Sequence, residues 1–215
     1  MLSMEGCELF EKGLSTVAEW AESGVVMGAL VWNNPNELAY PGFLPENKGL
    51  TAYGLQVTKE MQRLGMAVDV SHLSDAGFYD LMNKTHQPPI ASHSCCRKLC
   101  SNGRNLTDHM IRVLIAGGGY IGVNFYPVFL SDNGTATIET LVNHIDHICQ
   151  LGGDQIVGFG SDFDGIEVQP EGLADCAALP ALLSALKKRG YSEEAIQRIA
   201  GENLCAYFER IRGTL

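Results

Sequence analysis

The sequence has 215 residues, of which 46% are hydrophobic and 19% are charged, a composition typical of a globular domain with a core of its own. This composition excludes disordered and collagen-like proteins. The formal net charge of −10 offers no basic surface to phosphates, so we expect no nucleic-acid partner.

The seven cysteines are odd in number and lack paired spacing, so we expect free thiols in a reducing compartment and a cytoplasmic location. Cys95, Cys96 and Cys100 form a cluster, but no second Cys/His pair stands at zinc-finger spacing. The amino terminus has no basic segment followed by an apolar one, and no window approaches the roughly 18 apolar residues of a membrane span. We therefore expect neither a secretion signal nor a membrane segment.

Short apolar runs alternate with stretches of helical periodicity along the chain, which is typical of parallel βα units. Six runs are predicted to be strands: residues 2–6, 25–32, 66–72, 88–94, 120–126 and 155–162. The predicted helices are residues 9–23, 50–65, 76–86, 106–118, 138–153, 178–190 and 192–212. Ser74, Thr107 and Ser192 precede helical runs and are predicted to be N-caps.

This rhythm favours one α/β domain over residues 1–215 whose six βα units and closing helices match the last six units of a TIM (β/α)8 barrel. A doubly wound open sheet is the alternative, but it normally carries a glycine-rich phosphate turn after its first strand. The glycine run at residues 117–120 follows a predicted helix instead. A barrel of six strands has two open edges, which invite pairing with another chain.

Four predicted strands end in polar residues that suit metal chemistry: Glu5, His72, His93 and Asp162. The carboxyl ends of parallel strands open on the ligand crevice, so these side chains are expected to converge there. Carboxylate and imidazole ligands suit a zinc-like divalent ion. One histidine at a strand end is more often structural, but His72 and His93 share the frame Ser-His on successive strands. The pattern therefore indicates a metal hydrolase.

The remaining histidines are weaker candidates. His144 and His147 are spaced i, i+3 on a predicted helix, where packing or surface roles are favoured over metal binding. His86 ends a predicted helix, where a positive charge complements the helix dipole, and His109 lies on a helix after a loop.

Several stretches, in this order and spacing, carry a family resemblance: MEGCE, GLTAYGLQVTKEMQRLGMAVDVSHLSD, PPIASHSCCRKLCSNGRNLTD, IGVNFY and QIVGFGSDFDG. Together they resemble the membrane dipeptidase (renal dipeptidase, peptidase M19) family of the amidohydrolase superfamily, over essentially the whole chain. The resemblance implies a metal-dependent hydrolase of the TIM-barrel type. It implies a zinc-dependent dipeptidase that hydrolyses the peptide bond of dipeptides through a metal-activated water.

The resemblance also implies a role for each matching residue. Glu5 matches the glutamate that bridges two zinc ions, and His72 and His93 match the histidines that hold the second zinc. Asp162 matches the aspartate that acts as general acid and base. Arg104, in NGRN, matches the arginine that grips the terminal carboxylate of the substrate, a task suited to a fork of donors.

The chain departs from the family in two places. The family's first metal is held by a first-strand His-x-Asp pair upstream of the bridging glutamate, whereas only four residues precede Glu5 here. We therefore expect an amino-terminally truncated chain that lacks the first two βα units and binds about one zinc ion instead of two. The second departure is a missing histidine in LVWNNPN, where Trp32 or Asn33 takes its place. Asn33 and Tyr126 join Arg104 as expected substrate-binding residues.

Three functions remain open at this point. The first is a dipeptidase whose partners are a dipeptide substrate and either a second copy or a complementing amino-terminal chain. The second is a non-catalytic or single-metal remnant of the same family. The third is another amidohydrolase-like enzyme or a metal phosphatase, which the surroundings of Arg104 and the SDFDG motif disfavour.

Overall fold

The structure is a computed structural model that describes residues 1–213. The chain forms two compact units, of which one contains Met1–Ile90 with the residues from Phe208 on, and the other contains Ala91–Tyr207. Over the described range, no helix has the length and apolar character that crossing a membrane would require. The single domain inferred from the sequence stays a prediction.

The first unit contains parallel strands that pair in chain order. β1 (Leu2–Glu5) pairs with β2 (Val25–Ala29), β2 pairs with β3 (Ala67–Asp69), and β3 pairs with β4 (Ile90–Ala91), which begins at the last residue of this unit. The crossovers include a 3-10 helix, Glu8–Lys12, and the helices α1 (Leu14–Glu22), α2 (Ala52–Arg63) and α3 (Asp75–Lys84). Helical crossovers are what parallel strands require, because a tight hairpin cannot join them.

In the second unit, β5 (Tyr120–Asn124) and β6 (Val157–Gly160) are parallel, with Asn124 opposite Gly160. All five residues of β5 are buried, as expected for a strand covered on both faces. The helices, in chain order, are α4 (Asp108–Gly117), α5 (Pro127–Leu130), α6 (Ile138–Gln150), a 3-10 helix (Cys176–Ala178), α7 (Leu179–Arg189), α8 (Glu193–Gln197), a π-helical turn (Arg198–Glu202) and α9 (Asn203–Arg212), which continues into the first unit.

All six predicted strands are present, and each is shorter than its apolar run. The predicted N-caps are confirmed: the hydroxyls of Ser74, Thr107 and Ser192 each accept a hydrogen bond from the backbone N–H three residues later. Such a cap satisfies one of the free donors of the first turn and contributes about 1 kcal/mol.

Three helix predictions differ from the structure. The helix predicted for residues 192–212 is divided into α8, the π-helical turn and α9, with non-helical backbone at Gly201. The helix predicted for residues 9–23 is divided at Gly13, whose φ of 135° is incompatible with helical backbone and is open to glycine. The short helix α5 was not predicted from the sequence. It begins at Pro127, a residue that suits the first turn because it has no N–H to leave unpaired.

His144 is a packing residue at the centre of the second unit. It is fully buried on α6, where its Nδ1 accepts the N–H of Cys96 at 3.0 Å and its Nε2 donates to the carbonyl oxygen of Leu130 at 2.9 Å. Burial lowers the pKa of His144 to about 4, because protonation would place a positive charge in the core, away from water. The predicted packing role is therefore confirmed.

Close backbone packing in the second unit depends on two glycines without side chains. A Cβ added to Gly122 on β5, or to Gly160 on β6, would lie 2.1 Å from the carbonyl oxygen of Ser92. The Gly122 carbonyl also accepts the N–H of Ser94 at 2.8 Å. The backbone just before and after His93 is thus positioned by contacts that only glycine permits.

We predict that Gly122→Ala lowers the free energy of unfolding by about 1–3 kcal/mol, since the new methyl group would displace the Ser92 carbonyl. Chemical denaturation monitored by circular dichroism measures this. Gly201→Ala is the control, because a Cβ there meets no atom within 4 Å. Equal stability of the two variants would contradict the close packing.

We predict a loss of stability in acid that depends on His144. Its folded pKa of about 4 lies below the unfolded value of 6.5, so its contribution is complete above pH 6.5 and falls as the pH drops toward 4. Urea unfolding at about pH 7.5 and about pH 4.5 should show about 2–3 kcal/mol more loss in the wild type than in His144→Gln. His86→Gln, at an exposed histidine, should lose as much unfolding free energy between the two pH values as the wild type. If the free energy of unfolding of His144→Gln fell with pH as much as that of the wild type, the lowered pKa of His144 would be contradicted.

Candidate active site

Glu5 and His72 meet in the first unit. Glu5 ends β1, and the strand register places it beside Ala29, which pairs in turn with Asp69 at the end of β3. The chain continues three residues beyond Asp69 to His72, whose Nε2 lies 2.7 Å from Oε1 of Glu5. His72 is buried, whereas the Glu5 side chain is half exposed. A carboxylate oxygen and an imidazole nitrogen therefore converge beyond the strand ends.

Local hydrogen bonds fix the turn that carries His72. Oδ1 of Asp69 accepts both the N–H and the hydroxyl of Ser71, at 3.0 and 2.7 Å. The carbonyl oxygen of His72 accepts the N–H of Gly42 at 2.8 Å. The Trp32 ring lies beside His72, with centroids 6.5 Å apart. Of the two residues expected in that place, Trp32 therefore borders His72, and Asn33 is the half-buried residue that follows it.

His93 follows β4 in the second unit and is half-buried. Its Nδ1 lies 2.7 Å from the hydroxyl oxygen of Ser92. When Nδ1 donates its proton to this hydroxyl, Nε2 carries the lone pair that a metal requires.

In the first unit, Glu5 and His72 place a carboxylate oxygen beside an imidazole nitrogen, and in the second unit His93 offers a further imidazole. Carboxylate and imidazole donors of this kind are found in zinc sites of hydrolases. The chemistry of the donors therefore fits the metal that the family resemblance implies.

The His-x-Asp pair formed by His144 and Asp146 has other partners. His144 is held by backbone groups in the core, as described above. The carboxylate of Asp146 accepts hydrogen bonds from Arg189 at 2.7 Å and from the Tyr191 hydroxyl at 2.6 Å. This helical pair therefore does not substitute for the first-strand pair of the family.

The clustered cysteines act as buried hydrogen-bond donors. The thiols of Cys95, Cys96 and Cys100 donate to the carbonyl oxygens of Asn124, His144 and Val128, respectively. Burial raises the pKa of each of these thiols, to about 11 for Cys100. Protonated thiols that bond three different carbonyls do not form a metal knuckle.

Asp162 lies two residues beyond β6 in a special backbone conformation. Its φ of 59° makes it, within the described part of the chain, the single residue other than glycine with positive φ. This conformation costs about 1–2 kcal/mol for an L-residue, and such strain concentrates at functional sites. The carboxylate accepts a hydrogen bond at Oδ2 from the Asn124 amide, at 3.1 Å.

Arg104 is 7% exposed and is therefore not an ordinary surface charge. Its guanidinium carbon lies 5.3 Å from the centroid of the Phe129 ring, a cation–π contact that orients the planar group. Asn105 ties together the two segments that carry this pair, because its amide donates to the carbonyl oxygens of Cys100 and Phe129. The structure thus holds Arg104 in a supported loop.

Tyr126 follows β5 and packs edge-on against Phe129, with ring centroids 5.2 Å apart. The Tyr126 hydroxyl donates a hydrogen bond to the Glu167 carboxylate, and this hydrogen bond raises the pKa of Tyr126. The ring is therefore held between a carboxylate and the aromatic support of Arg104.

Three contacts of the candidate residues were not predicted from the sequence: Trp32 beside His72, Asn124 beside Asp162, and Phe129 beneath Arg104. Asn124 had a usable signal, because it is the polar residue that ends a buried strand. Phe129 had none, since an aromatic residue in a short helix does not reveal which side chain will stack on it.

The model of the family described as "Membrane dipeptidase (Peptidase family M19)" matches residues 1–213. An uncharacterized dipeptidase of Schizosaccharomyces pombe is 36% identical over 217 residues, which cover 97% of this chain and 52% of that protein. Dipeptidase 3 of Rattus norvegicus is 30% identical, covering 98% of this chain and 44% of that protein. The chain thus spans about half the length of these two relatives.

A solved structure of a metallopeptidase is also similar to this chain. The metallopeptidase of Rhodobacter sphaeroides, solved with a phosphinate mimic of the dipeptide L-Ala-D-Ala, has a TM-score of 0.92 and 31% identity, covering 98% of this chain and 63% of that chain. The predicted α/β fold class of a TIM-barrel hydrolase is confirmed by these matches. The chain belongs to the membrane dipeptidase family, peptidase family M19.

Proposed function

We propose that this chain provides the zinc site and the acid–base group of a dipeptidase, which hydrolyses the peptide bond of dipeptides through a metal-activated water. The observation that carries the proposal is the 2.7 Å approach of Glu5 Oε1 to His72 Nε2 beyond the ends of two strands. A carboxylate this close to an imidazole nitrogen suits two ligands of one ion.

Glu5, His72 and His93 are the proposed ligands, because they match the residues that hold one zinc ion in the family, so about one zinc ion is expected per chain. When bound, zinc would lower the pKa of a coordinated water to about 7 and so provide hydroxide near neutral pH. The hydroxyl of Ser92 would hold Nδ1 of His93 and direct its other nitrogen toward the ion.

Asp162 is the proposed general acid and base. Its carboxylate would take a proton from the attacking water and deliver it to the nitrogen of the leaving amine. The hydrogen bond from Asn124 supports this role, because it holds one oxygen of the carboxylate in place.

Arg104 is the proposed anchor for the terminal carboxylate of the substrate, with Tyr126 and Asn33 as further substrate-binding residues. A guanidinium stacked on Phe129 can present two parallel N–H groups to a carboxylate. The dipeptide mimic bound to the Rhodobacter sphaeroides relative makes L-Ala-D-Ala the first substrate to test.

The alternative is a single-metal or non-catalytic member of the family. The observation that favours it is that His144 and Asp146, the His-x-Asp pair of this chain, are held by other partners, whereas the family resemblance implies such a pair at a second ion. The assay below separates these two functions.

We predict that the purified chain retains about one equivalent of zinc after dialysis, and that His72→Ala loses most of it, because the proposed ligand beside Glu5 is removed. Inductively coupled plasma mass spectrometry measures the metal. His86→Ala, at an exposed histidine, is the control and should retain zinc. Equal zinc in the wild type and His72→Ala would contradict the proposed site.

The same samples are then assayed for hydrolysis of L-Ala-D-Ala, alone and together with a segment of a longer relative that carries the His-x-Asp pair. Hydrolysis in either form that is lost in His72→Ala is the expected result. Zinc binding without hydrolysis in both forms would favour the non-catalytic alternative.

We predict that Arg104→Lys raises KM for dipeptides with a free terminal carboxylate by about 10- to 100-fold, because lysine cannot form the bidentate fork. Initial-rate kinetics in the hydrolysing form measure the effect. The matched control is a dipeptide amide, which has no terminal carboxylate and should show little change in KM. An equal rise for both substrates would mean that Arg104 acts on folding and not on the carboxylate.

A further inference from the structure

Asn124 and Asp162 approach each other from neighbouring strands of the second unit. Asn124 ends β5 and pairs with Gly160, the last residue of β6, and Asp162 follows two residues later. Asn124 is 0% exposed, and its Nδ2 lies 3.1 Å from Oδ2 of Asp162. A fully buried amide thus contacts the carboxylate assigned above to proton transfer.

The orientation of the Asn124 amide is settled by its second contact. Its Oδ1 lies 2.6 Å from the backbone nitrogen of Tyr126, which can only donate. The oxygen of the amide must therefore face Tyr126, and the NH2 group must face Asp162. The backbone carbonyl of Asn124 also accepts the thiol of Cys95 at 3.2 Å, so the residue is held on three sides.

The Asp162 carboxylate is confined as well. A Cβ added to Gly165 would lie 2.2 Å from Oδ1, so the carboxylate packs directly against this glycine. The N–H of Gly165 donates to the carbonyl oxygen of Asp162 at 2.9 Å, which closes the turn around its positive φ. Of the two carboxylate oxygens, Oδ2 accepts the amide, while Oδ1 accepts no hydrogen bond from the residues that the structure describes.

We infer that Asn124 is a positioning residue for proton transfer: its amide holds Oδ2 of Asp162 in place and leaves Oδ1 as the oxygen that takes and returns the proton. This inference rests on the proposed function, in which Asp162 is the acid–base group. A carboxylate without such a partner would rotate about its side-chain bonds, and a misplacement of about 1 Å can slow a reaction roughly 100-fold.

Asn124→Asp isolates the donated hydrogen bond. The variant keeps an oxygen to accept the N–H of Tyr126, but replaces the NH2 group with an oxygen that repels Oδ2 of Asp162. Asn203→Asp is the matched control. Asn203 is 3% exposed, and its amide donates to the carbonyl oxygens of Asp154 and Val157 elsewhere in the same unit.

Crystal structures provide the first readout, which needs no activity. The Asp162 carboxylate is expected to move by about 1 Å or more in Asn124→Asp and to stay in place in Asn203→Asp. An unmoved carboxylate in Asn124→Asp would overturn the inference.

Kinetics on L-Ala-D-Ala provide the second readout. In the hydrolysing form, Asn124→Asp is expected to lower kcat about 10- to 100-fold with KM within about twofold, whereas Asn203→Asp should lower the unfolding temperature and leave kcat unchanged. An unchanged kcat in Asn124→Asp would overturn the inference. Asp162→Asn distinguishes this result from failure of the proposed function: full hydrolysis by Asp162→Asn would overturn both, and loss of hydrolysis would leave the proposed function intact.

A third measurement does not require Asn124→Asp to fold. In a proton–nitrogen NMR spectrum, the side-chain amide of Asn124 should shift in Asp162→Asn, because a charged acceptor is replaced by a neutral one. The side-chain amide of Asn203 serves as the reference in the same spectrum and should not shift. An Asn124 resonance that also stays in place would overturn the inference.

Discussion

Parallel strand pairing is the constraint from which the candidate site follows. Strands that run in one direction must be joined by crossovers, so within each unit their carboxyl ends lie at one edge. In the first unit, Glu5 lies at the level of Asp69, and the turn after Asp69 brings His72 to the Glu5 carboxylate. In the second unit, the pairing of Asn124 with Gly160 brings Asp162 to the Asn124 amide. The candidate residues thus lie just beyond the paired strands, while the strands themselves are mostly buried and apolar.

Short-range polar contacts support each candidate residue at these strand ends. A buried polar group costs stability when it is left unpaired, and a well-paired one fixes a single geometry. The supporting contacts are Ser71 with Asp69, Ser92 with His93, Asn124 with Asp162, and Asn105 with the carbonyl oxygens of Cys100 and Phe129. Each contact involves a candidate residue or a segment next to one, so the groups that would react are held before a substrate binds.

Backbone packing adds a second kind of support. Gly122 and Gly160 leave room for the carbonyl oxygen of Ser92, and Gly165 leaves room for the carboxylate of Asp162. Side chains at these positions would push on the segments that carry His93 and Asp162. The glycines near the site therefore serve close approach, and the strained φ of Asp162 is held by the turn that Gly165 closes.

The sequence by itself determined the six strands, the N-caps and the family. Apolar periodicity and capping residues are local signals that persist whatever the chain later packs against. The strand-end rule and the family motifs also selected Glu5, His72, His93, Asp162 and Arg104, of which Glu5 and His72 meet in the structure, while the roles of all five stay predictions.

Only the tertiary structure decided the partners of these residues. Trp32 beside His72, Phe129 beneath Arg104 and Asn124 beside Asp162 join positions that are far apart along the chain. Such contacts depend on strand register and on the direction of each turn, including the positive φ of Asp162. Neither is encoded in the composition or periodicity of a single segment, because both result from how separate segments pack together.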